Sequence, residues 1–108
     1  MDTWDTASLD VPPHQPEVLR SDDETRVIAI NLPAGEAMQE HETHERTWLF
    51  VASGEIELEH DGEIVTGGAG FLAHFEPQER REVRARSGAR LFLLLSPWPG
   101  DGHPSRRD

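Results

Sequence analysis

A chain of 108 residues is long enough for one compact core and too short for two ordinary domains. Its formal charge of −11, from 21 acidic and 10 basic side chains, opposes binding to nucleic acid or to an anionic membrane. The absence of cysteine removes disulfides, thiolate nucleophiles and Cys-ligated zinc, so any metal must be held by His and carboxylate.

Residues 1–24 carry Pro12, Pro13 and Pro16 among acidic groups and read as an extended N-terminal arm with Trp4 as its candidate anchor. The arm shows neither the basic nor the apolar block of a signal peptide. With no apolar run near the ~18–20 residues of a membrane span, the expectation is a soluble, cytoplasmic protein without membrane partners. From residue 25 the texture changes, and RVIAINL, closed by Pro33-Ala34-Gly35, predicts a first core strand. Thr47 to Ala52 is apolar and turns at Ser53-Gly54 into EIELEH, whose strict alternation predicts one wet and one dry face. Asp61-Gly62 is a strong hairpin signal, after which EIVT returns. FLAHF follows a glycine-rich break and ends at Pro77. Val83 and Ala85 then alternate with charged neighbours, and ARLFLLL is suited to a central strand buried on both faces. Six or seven short strands separated by turn residues predict an all-β sandwich or barrel over residues 25–96, followed by an irregular, Pro- and Gly-rich C-terminal tail, 97–108, whose Trp98 could pack back on the domain.

Residues 36–49 also carry apolar groups at helical spacing and could form a short amphipathic helix. The strand reading is preferred because every neighbouring segment alternates with period two.

The segment HETHE, residues 41–45, has His and Glu in the wrong order for a helical zinc peptidase motif. On a strand, His41, Thr43, Glu45 and Thr47 share one face, and His44, Arg46, Trp48 and Phe50 share the other. The second face, with its aromatic pair, predicts a covered surface under the arm or in a dimer. Arg81 has the parity of Val83 and Ala85, which places it on the dry face. His74 shares parity with Leu72 and Glu76, against Phe71, Ala73 and Phe75 on the opposite side. If the Leu72 face lines the lumen, His41 and His74 could hold Zn, Mn, Fe or Ni together with Glu45 and water; if it does not, His74 is a surface residue.

Gly35, five residues, His41 and, further on, Gly54 resemble the first motif of the cupins, small double-stranded β-helix (jelly-roll) barrels. The motif's second histidine falls on Thr43 and its glutamate on Thr47. In the second motif Gly70 and Pro77 match with one extra residue between them, Glu79 replaces a glycine, and the usual histidine falls on Arg81. The resemblance spans residues 35 to about 86 and implies a single cupin barrel flanked by arm and tail, with degenerate metal positions. An arginine donates hydrogen bonds and offers no lone pair, so Arg81 cannot ligate a metal and is suited to grip a carboxylate, either from a small ligand or from Glu45 within the protein, unless it snorkels or pairs with an acidic neighbour at the barrel mouth.

The expected function is therefore binding of a small, anionic ligand by His41, Thr43, Glu45, Thr47 and Arg81. Two alternatives stand beside it: a metal-dependent cupin enzyme of oxygenase or isomerase type, using a divalent ion on His41 and His74, and an interaction module with a vestigial pocket. A homodimer is expected in each case.

Overall fold

The computed structural model describes residues 1–6, 8–22, 24–41 and 45–96, with backbone alone at 39–41. Among the described residues nine strands follow in chain order: β1 Glu17–Ser21, β2 Arg26–Leu32, β3 Ala37–His41, β4 Arg46–Ser53, β5 Ile56–His60, β6 Glu63–Gly67, β7 Leu72–Phe75, β8 Arg81–Ala85 and β9 Ala89–Ser96. They form a five-stranded sheet, ordered β1-β2-β9-β4-β7, and a four-stranded sheet, ordered β3-β8-β5-β6, with antiparallel pairing throughout. The architecture is the all-β, double-stranded β-helix expected from the sequence. Strands occupy 37–41 and 46–49, which excludes the helical alternative there. No helix among the described residues is long and apolar enough to cross a membrane.

Binary patterning explains the layering. In β4, Thr47, Leu49 and Val51 are buried while Arg46, Trp48 and Phe50 are exposed, and in β8 Arg81, Val83 and Ala85 are buried with Glu82 and Arg84 outside. The inward residues Leu49, Val51, Ile56, Leu58, Val83, Leu91 and Leu93 form the main core between the sheets. Truncating one such leucine to alanine typically costs about 2–5 kcal/mol, so this core dominates stability.

The β5–β6 turn follows the local rule. Asp61 and Gly62 have φ of 50° and 81°, the pair of positive values that a two-residue type I′ hairpin requires, and His60 pairs with Glu63 across it.

The arm departs from its expected form in two ways. Residues 17–21, read as extended chain, pair with β2 as an edge strand. The anchor is not Trp4, which is 42% exposed, but Val11, which packs with Ala29 and Phe92 and is flanked by Leu9, Leu19 and Ala52. Asn31 Nδ2 donates to the Val11 carbonyl at 2.9 Å, and Arg90 Nη1 donates to that of Thr6 at 3.2 Å. This strap explains why Phe92, on the outward side of β9, is buried. Val11 wins over Trp4 because the apolar patch at Ala29 and Phe92 lies within its reach, a tertiary condition that composition does not encode.

Candidate functional site

The chemistry gathers at one end of the barrel, where β3 and β7 end and β4 and β8 begin. Arg81 opens β8 on the inward parity of Val83 and Ala85 and is only 1% exposed. Its guanidinium carbon lies 4.7 Å from the centroid of the Phe75 ring, which projects inward from β7 of the opposite sheet. The cation therefore spans the interior between the two sheets. Thr47, fully buried, pairs with Phe75 in register and donates its hydroxyl to the Glu45 carbonyl at 3.4 Å. Glu45 is buried too, at 3% exposure.

The backbone of His41 pairs with that of Arg81 across β3 and β8, beyond an irregularity in register after Met38. The His41 side chain, Thr43 and His44 lie outside the described residues, as does the tail with Trp98. The structure thus brings Thr47, Glu45 and Arg81 inside the barrel, with His41 next to Arg81 along the sheet. His74 takes the outer face. It pairs in register with Trp48, their ring centroids are 4.5 Å apart, and its neighbour in parity, Leu72, is 55% exposed. The Leu72 face is thus not the lumen, so His74 does not share a face with Arg81 and Thr47, and the conditional metal pair of His41 with His74 lacks its second inward member. The physical reason is the Phe71, Ala73, Phe75 side of the chain, which is the more apolar and takes the interior.

The guanidinium is the unusual feature electrostatically. Nε, Nη1 and Nη2 of Arg81 are all buried and make no hydrogen bond among the described residues. Burial pushes its pKa down, with Glu79 opposing, but an arginine remains charged at any physiological pH. Removing such a charge from water costs several kcal/mol even after relaxation. The Phe75 ring returns about 0.5–2 kcal/mol of this as a cation–π contact. With no hydrogen-bond acceptor for its nitrogens among the described residues, the guanidinium could take a carboxylate, which can meet its N–H groups with two parallel charge-assisted bonds.

The loop between β7 and β8 fixes where Arg81 begins. Glu79 Oε1 accepts from the Glu76 amide at 2.6 Å, while Glu79 Oε2 lies 3.1 Å from His60 Nε2. His60 Nδ1 donates to the Arg80 carbonyl at 2.9 Å, so the β5–β6 hairpin and the loop are tied together one residue from the buried cation. The Arg80 carbonyl holds the His60 imidazole above its usual pKa against partial burial, with Asp61, Glu79 and Glu63 adding to the effect.

A divalent ion does not suit the described residues. Among them, no three His, Asp or Glu side chains come together in a ligand set. At two of the positions where the motifs expect ligands stand Thr47, with a neutral hydroxyl, and Arg81, a buried cation that repels one.

Below Arg81, Thr47 and Phe75 the interior is filled by side chains such as Leu49, Val51, Ile56 and Leu91, all fully buried. Any ligand is confined to the mouth. Sequence reasoning singled out Arg81 by strand parity but missed Phe75, its cation–π partner. The available signal was the apolar side Phe71, Ala73, Phe75 in a strand whose other side carries His74 and Glu76.

Comparison with known proteins agrees with this fold. A family model described as the cupin domain matches residues 28–96. A double-stranded β-helix protein from Klebsiella pneumoniae is 17% identical with a TM-score of 0.78, the match covering 90% of each chain. The Cnp3 cupin domain of Schizosaccharomyces pombe is 11% identical with a TM-score of 0.78, over 88% of this chain and 68% of that one. KdgF from a Halomonas species is 18% identical with a TM-score of 0.72, over 82% of this chain and 85% of that one. No curated protein matches the sequence. At these identities the structures attest to the fold alone, and the family model, which takes in every strand from β3 to β9, settles the membership: the chain belongs to the cupin family.

Proposed function

We propose that this cupin binds a small carboxylate at the mouth of its barrel, with Arg81 as the anion-gripping residue. One observation carries the reading: a guanidinium buried to 1% exposure, whose three nitrogens make no hydrogen bond among the described residues. A bound carboxylate would satisfy two of those nitrogens and neutralise the charge. Phe75 packs against the guanidinium before the ligand arrives, which lowers the entropy lost on binding. Thr47 lies beside Phe75 with a hydroxyl that can adjust to a second polar atom of the ligand. The apolar floor beneath limits the ligand to a few heavy atoms beyond the carboxylate.

Thermal denaturation in the presence of acetate, glycolate and malonate, with acetamide as the neutral control, tests this. A ligand at one hundred times its Kd should stabilise the wild type by about 2.7 kcal/mol, seen as a rising midpoint. Arg81→Met should abolish the response, and acetamide should give none. Equal responses to acetate and acetamide, or an unaltered response in Arg81→Met, would refute the assignment.

A further inference from the structure

At the mouth of the barrel one further side chain stands next to Arg81. Glu59 of β5 pairs with Glu82 of β8, so the antiparallel register places His60 across from Arg81, on the inward parity of Ile56 and Leu58. A cleft of about 280 Å³ opens between the β5–β6 hairpin and the start of β8, with His60, Asp61, Arg80, Arg81 and Glu82 in its lining.

We propose that His60, as the imidazolium, is a positioning residue of the carboxylate site: it holds Glu79 off the Arg81 guanidinium, so that the ligand binds more tightly when His60 is protonated. This role rests on the carboxylate reading of Arg81. Both ring nitrogens of His60 face oxygens that only accept, Nδ1 the Arg80 carbonyl at 2.9 Å and Nε2 the Glu79 carboxylate at 3.1 Å. A neutral imidazole carries one N–H and can serve only one of them, so the geometry is that of the charged ring. The Arg80 carbonyl, and after it the neighbouring carboxylates, raise the His60 pKa above the usual 6.5, which places the loss of the proton on the alkaline side of that value.

The loop that His60 ties down is under strain. Gln78 has φ of 68° in a Pro77-Gln78 turn closed by the Glu79 amide on the Glu76 carbonyl at 3.2 Å, a position that favours glycine. Glu79 secures the turn with both carboxylate oxygens, one on the Glu76 amide and one on His60. A neutral His60 gives up one anchor. Glu79 is also the anion whose field opposes the effect of burial on Arg81, although it makes no hydrogen bond to the guanidinium; once released, it becomes the internal competitor for it. The surrounding charges act in the same direction. Glu59, Asp61 and Glu63 on the hairpin, with Glu79 and Glu82 facing it, outnumber the Arg80 and Arg81 guanidinia. Without the imidazolium, this acidic rim repels an anionic ligand.

Nuclear magnetic resonance of the full chain titrated with glycolate, which stays ionised above about pH 5.5, tests this. Wild type should bind about tenfold more tightly at about pH 5.5 than at about pH 8.5, and by reciprocity saturating glycolate should raise the His60 titration midpoint by about one pH unit. His60→Gln should bind with one weak affinity at both pH values, with its fold unaltered because the ring is partly exposed. Binding that is lost in Arg81→Met yet equally tight at both pH values in the wild type overturns the role of His60 and leaves the carboxylate reading standing. So does a pH step that survives His60→Gln. A wild type that binds no glycolate at either pH overturns both.

Discussion

Arg81 is a cation held in an apolar barrel, and its lack of a hydrogen-bonded counter-group among the described residues has a measurable cost. Replacing a buried charge by an apolar side chain of similar length often stabilises a protein by about 1–4 kcal/mol. Arg81→Met is therefore expected to raise the ligand-free stability measured by urea unfolding while eliminating the response to carboxylates. A destabilised variant would mean that the guanidinium is satisfied within the protein, which would weaken the case for a ligand. The inward position of this residue was legible from the sequence, because it shares strand parity with Val83 and Ala85. Its aromatic neighbour was not, since Phe75 reaches Arg81 from the opposite sheet and nothing local encodes that meeting. His74 shows the same limit: parity defined its two options, and the packing of Phe75 against the core chose between them.

Turns and straps decide the behaviour of the elements. Gly54 and Gly62 both have positive φ, 80° and 81°, but their surroundings differ. A Cβ on Gly54 would lie 2.2 Å from the Gly88 carbonyl oxygen, whereas one on Gly62 would meet nothing within 4 Å. Gly62→Ala should cost about 1–2 kcal/mol, the left-handed penalty alone. Gly54→Ala should cost clearly more, because the β4–β5 and β8–β9 turns must also move apart; urea unfolding of the two variants under identical conditions measures the difference. Equal losses would show that the turns accommodate the methyl group freely. The sequence marked both turns through Ser53-Gly54 and Asp61-Gly62. It did not reveal that Gly54 touches Gly88, a contact made only when the two sheets close. Nor did it reveal β1, whose pairing depends on the open edge that β2 offers once the sheet exists.

At the scale of the whole molecule, net charge sets the terms of association. With −11 on each chain, a homodimer, expected from the sequence, would work against a repulsion that salt screens within a Debye length of about 10 Å at 0.1 M. Raising sodium chloride from about 20 to about 300 mM should therefore tighten the dimer, read by sedimentation, because an apolar contact gains from screened repulsion and loses little. Salt-induced dissociation would instead indicate an interface held by ion pairs. The amino-acid order by itself determined the class of fold: alternation in β5 and β8, the Asp61-Gly62 turn and the glycine spacing around His41 all pointed to one cupin barrel of antiparallel strands. These signals are local, and each alternating strand carries its own record of which side is dry. Tertiary structure alone decided which dry sides meet, and so put Arg81 against Phe75, His74 against Trp48 and Val11 over Phe92. Those contacts join residues far apart in the chain, and their energies exist only when the sheets are assembled.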